Sequence, residues 1–327
     1  MVILPKYEYN ATLDKELLEE ELMNESVSKT KKYVFYAILA AALYALSTPF
    51  SKLLLVDFSP TMMAGLLYFG AGLGMFVVWL VRRKVTDFQG KPFTKKQMPY
   101  VFGMIALDII APILLMLGLT YSNPENVSLL NNFEIVATSL IALFVFKELV
   151  SRRLWLGIIF ITFATVVLSL GDVSAFQFSI GSLFVILACI SWGLENNCTR
   201  LLSNNDPLKV VIIKGIFSGI GSLSIALVLG EFQGDFLRIL LALLLGFVAY
   251  GMSFYLYVHA QRGLGASKTS AYYAVAPFIG VIIAFLLFRQ IPNYTFFIAL
   301  FLMAVGTYFA STPKREKKVH SEKETIN

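Results

Sequence analysis

Charge is scarce in this chain. Only 15% of its 327 residues are charged, against about 25% in ordinary soluble proteins. A water-soluble domain of this length needs more polar surface than that to solvate its exterior, so a soluble globular class is excluded. Cysteine and histidine are nearly missing, with two of each. Cys189 and Cys198 lie nine residues apart in one apolar segment, which offers neither a disulfide framework nor a metal-ligand spacing. No metal or cofactor is expected. Also lacking are a His-Glu-x-x-His pair, a Gly-x-Ser-x-Gly elbow and a Gly-rich loop ending in Gly-Lys-Ser/Thr. The one histidine in an apolar region, His259, follows Ser253 by six residues. On a helix that is about 240° of rotation, so the two side chains diverge. These absences argue against an intramembrane enzyme and against direct ATP drive by this chain.

What the chain has in abundance is apolar mass. It is 57% hydrophobic, with 28 Phe, 15 Tyr and a mean hydropathy of +0.72, the opposite of a disordered composition. A bilayer core of about 30 Å needs about 20 mostly apolar residues per helix. Ten such runs are present: 33–54, 60–81, 99–119, 127–146, 153–171, 180–201, 208–229, 236–258, 267–288 and 294–311. The runs are continuous rather than alternating, which excludes a β-barrel. The expected fold class is an all-α integral membrane protein of ten transmembrane helices. Pro49, Pro112 and Pro277 fall inside runs and are expected to kink or interrupt them.

The net charge of +6 does not point to nucleic acid. Its basic residues sit in short clusters between apolar runs, as membrane-protein loop charges do, and form no domain-sized basic face. If the N-terminus is cytoplasmic, twenty-one of the lysines and arginines from Lys29 onward fall inside, and only Lys52, Arg238 and Arg289 fall outside. That bias places both termini in the cytoplasm and makes the helix number even. No signal peptide is read at the start. Residues 1–32 form a tail whose glutamates (Glu16, Glu19, Glu20, Glu21, Glu25) flank a narrow leucine stripe. It reads as a frayed tail or short surface helix, with a partner-binding helix as the minority reading. Residues 312–327 form a basic cytoplasmic tail.

The two halves match each other. Tyr44-Ala-Leu-Ser-Thr-Pro-Phe-Ser-Lys52 aligns with Trp192-Gly-Leu-Glu-Asn-Asn-Cys-Thr-Arg200. Gly72 and Gly74 align with Gly219 and Gly221. Ser128, Ala142, Phe146 and Lys147 align with Ser270, Ala284, Phe288 and Arg289. The expected domains are therefore a first repeat at 33–171, a linker at 172–179 and a second repeat at 180–311. Five helices per repeat is an odd number, so the second copy enters the membrane upside down. Inverted repeats are the signature of secondary transporters, whose site lies near the midplane between the halves.

These paired motifs, together with Leu256-Tyr-Val-His-Ala-Gln-Arg-Gly-Leu-Gly-Ala-Ser-Lys-Thr-Ser-Ala-Tyr-Tyr-Ala-Val-Ala-Pro-Phe-Ile-Gly280, resemble the EamA-like drug/metabolite transporters over about residues 33–311. The resemblance implies a solute exporter or exchanger in a prokaryotic plasma membrane, with a central site lined by helices 1, 3, 4, 6, 8 and 9. It implies no single substrate, since family members handle amino acids, metabolites, toxins and other solutes.

Four ionisable residues lie inside runs and away from their ends: Asp108, Glu134, Glu195 and Lys214. Each costs about 2.5–3.5 kcal/mol or more at the bilayer centre and is expected to face a cavity or a partner. None has an ionisable equivalent in the other repeat; the aligned residues are Tyr250, Ala276, Ser47 and Leu67. Glu134 is the strongest candidate, because Ser128, Asn131, Glu134 and Thr138 form one polar stripe on an otherwise apolar helix. Its expected role is proton carrier or binder of a substrate amine, against a structural hydrogen bond to a neighbouring helix. Glu195 shares a face with Ser191 and Thr199, with Asn196 and Asn197 beside it. Glu195 and Lys214 are each about 10 Å deep from the cytoplasmic side, so an ion pair is expected, acting as packing element, gate or binding element. Asp108 lies four residues before Pro112 and is expected to line a kink or accept a bond from a neighbour. Tyr273 aligns with Asn131 and, with Tyr272, precedes Pro277, which frees the Tyr273 carbonyl; both are cavity candidates. Tyr44 and Trp192 read as packing, and Tyr250, Ser253 and Tyr257 as a weaker mixed stripe.

Gly70/Gly74 and Gly215/Gly219 have small-xxx-small spacing, a packing signal within the monomer or between two monomers, so a homodimer is one expected partner beside the solute and the lipid bilayer. A non-transporting receptor or structural protein is the alternative function class, and an intramembrane enzyme the remotest. Amino acids or amine-bearing metabolites suit the interior carboxylates.

Overall fold

The computed structural model describes residues 30–85, 93–147, 151–172, 177–202, 205–264, 269, 272–290 and 292–311. The expectations for the acidic N-terminal segment as far as residue 29, and for the basic tail 312–327, lie outside the described residues. Nearly everything described is helix. Nine helices among the described residues are long and apolar enough to cross a membrane. They are α1 (Thr30–Leu54), α2 (Pro60–Val85), α3 (Met98–Tyr121), α4 (Pro124–Val145), α5 (Arg152–Ser169), α6 (Ile180–Leu201), α7 (Pro207–Val228), α8 (Phe236–Ala260) and, last in the chain, α10 (Tyr294–Ser311). The run at 267–288 is interrupted by a turn at Ala274–Val275. The helix after it, α9 (Ala276–Phe288), has 13 residues, which is short of a bilayer core at 1.5 Å per residue. The all-helical expectation needs one small correction as well. Leu170–Asp172 (β1) and Gln177–Phe178 (β2) pair antiparallel, with Leu170 opposite Phe178 and Asp172 opposite Gln177. This hairpin lies where a plain linker was expected.

The helix entries follow their sequences. The Ser151 Oγ accepts from Leu154 N at 3.2 Å and the Asp206 Oδ1 from Leu208 N at 3.1 Å. The Asp235 Oδ1 accepts from Leu237 N at 2.8 Å. Each cap satisfies a backbone donor that a helix start leaves open. At the other end of α3, the Lys52 ammonium collects carbonyls, bonding Leu119 O and lying 3.1 Å from Ser122 O. A cation on the last carbonyls is the favourable sign for a helix C-terminus.

Four helices are irregular. In α1 a turn at Leu46 precedes Ser47–Leu54, upstream of Pro49, whose ring denies the Ala45 carbonyl its partner. In α4 the helix stops at Leu130, turns through Asn131 and Asn132, and restarts at Phe133. Before α9, Ala274 and Val275 form a turn and Pro277 occupies the first turn of the new helix. In α8, Phe247–Met252 is a π-helical stretch. Pro112, by contrast, sits inside α3 with no interruption. The helices ending at Phe146 and Phe288 are closed by Lys147 (φ 54°) and Arg289 (φ 52°), the only non-glycine residues with positive φ among those described.

α2 packs chiefly on α7, α3 on α6, and α5 on α10; α2 also runs along α8, and α6 along α4. Glycine makes the first crossing possible. A Cβ on Gly215 would come within 2.6 Å of the Gly72 Cα, and one on Gly72 within 2.6 Å of the Gly215 carbonyl carbon. Gly70 is pressed against Leu243 and Gly74 against Phe247. The small-residue spacings therefore serve contacts within the chain. Buried residues concentrate between the helices, while Phe102, Phe163, Leu286 and Phe301 lie bare on the outside. Apolar outer faces are what a lipid solvent permits.

Candidate functional site

The polar residues of the interior form two adjoining groups. The first is built on α7, α3 and α6. The Lys214 Nζ lies 3.1 Å from Asp108 Oδ2 and 3.2 Å from Glu195 Oε1. Both carboxylates are buried, Asp108 completely. The pairing of Glu195 with Lys214 agrees with their equal depth in sequence; Asp108 joins them from α3. The Tyr68 hydroxyl donates to Asp108 Oδ1 at 2.9 Å, and the Trp192 indole donates to the Tyr68 oxygen at 3.1 Å. Thr199 Oγ1 donates to Glu195 Oε1, one turn along the same helix. The Lys214 ammonium also sits 5.6 Å from the centre of the Phe254 ring, within cation–π range. When all three are ionised, two carboxylates around one ammonium leave a single negative charge in excess.

The second group is built on the break in α4. Asn196 Nδ2 donates to Glu134 Oε1 at 2.6 Å and lies 3.3 Å from Thr138 Oγ1. Glu134 is half-buried and near enough to Glu195 and Lys214 to interact with them electrostatically. Glu134 forms no ion pair among the described residues. Asn131, three residues earlier on the same stripe, is 8% exposed, and its Oδ1 has no hydrogen-bond donor among the described residues.

A row of tyrosines runs beside Glu134. Ring centres are 5.5 Å apart for Tyr68–Tyr250, 5.7 Å for Tyr250–Tyr44, 5.8 Å for Tyr44–Tyr273 and 4.9 Å for Tyr273–Tyr257. Tyr44, Tyr250 and Tyr273 each lie within electrostatic reach of Glu134. Ser253 pins the row: its Oγ donates to Ala40 O at 2.8 Å and lies 3.3 Å from the Tyr273 hydroxyl.

Of the residues singled out in the sequence, Asp108, Glu195 and Lys214 meet in one cluster, Glu134 and Asn131 lie on the adjoining stripe, and Tyr273 stands in the tyrosine row. Two are placed elsewhere. Asn197 turns away from Glu134 and donates to the backbone, at 2.8 Å to Gly193 O and 3.2 Å to Thr138 O. Tyr272 is 38% exposed and has no place in the row. Sequence reasoning missed Tyr68 altogether and gave Trp192 and Tyr44 to packing. The signal available was the mixed stripe Tyr250, Ser253 and Tyr257 on α8, which names the surface that Tyr44 and Tyr68 meet.

The fold and this interior define a class: a multi-pass α-helical membrane protein with charged groups held between its helices. The comparisons place it within that class. The model of the EamA-like transporter family matches the chain twice, at residues 31–170 and 179–312, and the chain belongs to that family. It is similar, at 28% identity over 273 residues, to an uncharacterized transporter of Methanothermobacter thermautotrophicus, covering 77% of this chain and 78% of the relative. A crystal structure of a protein 17% identical in sequence superimposes with a TM-score of 0.61, over 86% of this chain and 97% of that one; that likeness concerns the fold alone.

Proposed function

We propose that the protein is a secondary transporter of small organic solutes, working by alternating access between two inverted five-helix halves. The halves are residues 33–171 and 180–311, joined through 172–179. α9 with the turn before it counts as the tenth span. Support comes from three features that recur along the two halves and from one crossing between them. The family model matches two successive segments. The break at Asn131–Asn132 in α4 corresponds, within a residue, to the break at Ala274–Val275 before α9. The left-handed caps Lys147 and Arg289 occupy aligned positions. α2 crosses its counterpart α7 glycine on glycine. Two similar halves in opposite orientation can exchange conformations at little net cost, giving outward-open and inward-open states of comparable energy. Breaks in α4 and before α9 are natural hinges, since irregular backbone at membrane depth belongs where it lines a cavity.

The observation that carries the reading is Glu134, a half-buried carboxylate on α4 with no ion pair among the described residues, reached by Asn196 from α6 of the other half. We read it as the group that meets the solute or a coupled proton. The direction read is export, across a prokaryotic plasma membrane with both termini inside. The experiment is untargeted metabolite profiling of the medium from cells overexpressing the wild type or Glu134→Gln. A compound enriched by the wild type and not by the variant names the solute, gives the direction and places Glu134 in the mechanism. Enrichment by both removes Glu134 from it. No difference from empty vector overturns export.

A further inference from the structure

Resting on the transporter reading, we infer that the solute is a small amine with an apolar body and no carboxylate, its ammonium held between Glu134 and the tyrosine row. Three features of the interior carry this. The first is charge. Glu134 offers a carboxylate with no ion pair among the described residues, whereas the one lysine or arginine away from the helix ends, Lys214, is already held by Asp108 and Glu195. A zwitterionic solute would bring a carboxylate for which the described interior residues offer no further lysine or arginine, and an unpaired charge in a low-dielectric interior costs several kcal/mol.

The second is the balance of donors and acceptors. Three interior N–H donors are committed: Asn196 to Glu134, Asn197 to two carbonyls, and the Trp192 indole to Tyr68. Three interior oxygens are open. Among the described residues Asn131 Oδ1, three residues from Glu134 on the same stripe, is buried without a donor, and the hydroxyls of Ser128 and Tyr250 are buried without a partner. Buried polar atoms without partners are uncommon and call for an explanation. An ammonium carries N–H donors and no acceptors; the Asn131 amide oxygen can only accept, and the Ser128 and Tyr250 hydroxyls can accept as well as donate.

The third is the row of rings. Tyr44, Tyr250, Tyr257 and Tyr273 come from α1, α8 and the residues before α9, and all four are only partly buried. Aromatic faces attract cations within about 6 Å of the ring centre and accommodate an apolar body as well.

The test is equilibrium binding to the purified full-length protein in lipid nanodiscs, with radiolabelled phenethylamine as the probe. Phenylalanine is the matched competitor, with the same ring and arm plus a carboxylate. Saturable phenethylamine binding is expected, with less than twofold displacement by a hundredfold excess of phenylalanine. Glu134→Gln and Tyr44→Leu are each expected to weaken binding about tenfold or more, and Tyr44→Phe, which keeps the ring face, by less than about threefold. Thermal melts of the same variants identify any that fail to fold, and Tyr44→Phe against Tyr44→Leu keeps the ring argument testable in that event. Displacement by phenylalanine as effective as by phenethylamine overturns the inference. So does an absence of saturable phenethylamine binding, or binding indifferent to Glu134→Gln. If the amine fails to bind while metabolite profiling names a carboxylate-bearing solute, the amine class falls and the transporter reading stands. If the amine fails and no solute moves, both fall.

Discussion

Asp108 and Glu195 converge on one lysine, with Tyr68 and Thr199 supplying further donors. Glu134, on the neighbouring α4, receives one short hydrogen bond from Asn196 and forms no ion pair among the described residues. Both groups place carboxylates where hydrocarbon surrounds the helix bundle, and both carry a desolvation cost. In the first group that cost is offset inside the protein, because an ammonium and the hydroxyls of Tyr68 and Thr199 meet the charges. In the second it is offset only in part, which suits a group whose partner arrives from outside. A buried ionisable residue is thus uninformative by itself. What separates a structural charge from a working one is whether its neighbours already satisfy it.

The largest effect should come from breaking the satisfied group. Lys214→Met would leave Asp108 and Glu195 facing each other without a cation. Removing one partner of a buried ion pair typically costs about 3–5 kcal/mol, so the variant should lose much of its stability in a detergent thermal melt. Neutralising all three in the combination Asp108→Asn, Glu195→Gln, Lys214→Met should recover most of it, because replacing a complete buried ion group is often close to neutral. If Lys214→Met melts like the wild type, the triad is not the self-neutralised element described above.

The contrasting variant is Glu134→Gln. A carboxamide keeps the size of the side chain and an oxygen for Asn196, so stability should change by no more than about 1 kcal/mol, while solute movement falls at least tenfold. A melt shifted as far as that of Lys214→Met would make Glu134 a structural group and erase the difference between the two sites.

Much of this contrast was legible in the sequence, for stated physical reasons. Ionisable residues inside apolar runs are conspicuous, and equal depth on successive helices was enough to pair Glu195 with Lys214. The irregular point before α9 was legible through Pro277. The break in α4 was not, since Asn131 and Asn132 are neither Pro nor Gly and nothing local forces a turn there. The π-helical stretch Phe247–Met252 was equally silent; it follows Gly246, which is jammed against the Leu67 carbonyl of α2, a contact between distant segments. Helix rotation was the other gap. One residue on a helix is about 100°, which decides that Asn196 rather than Asn197 meets Glu134. Asp108 joined the triad only because α3 packs on both α6 and α7.

The smallest quantity, a coupling energy, tests how far the satisfied group extends. Tyr68 accepts from Trp192 and donates to Asp108, so the three form a chain whose links are unequal. Tyr68→Phe removes a donor from a buried carboxylate, worth about 1.5–3 kcal/mol for a bond to a charged group. Trp192→Phe leaves the Tyr68 hydroxyl still donating to Asp108 and deletes only a bond between neutral groups, about 1 kcal/mol, plus the packing of the lost ring. The smaller ring adds a cavity term that works against the ordering, so the ordering is a demanding test. Thermal melts of the two single variants and the double variant separate the terms. Coupling of at least about 0.5 kcal/mol between the sites is expected for residues in one hydrogen-bond network. Simple additivity, or a Trp192→Phe effect larger than that of Tyr68→Phe, would mean that the indole fills space beside the cluster and that the satisfied group ends at Tyr68.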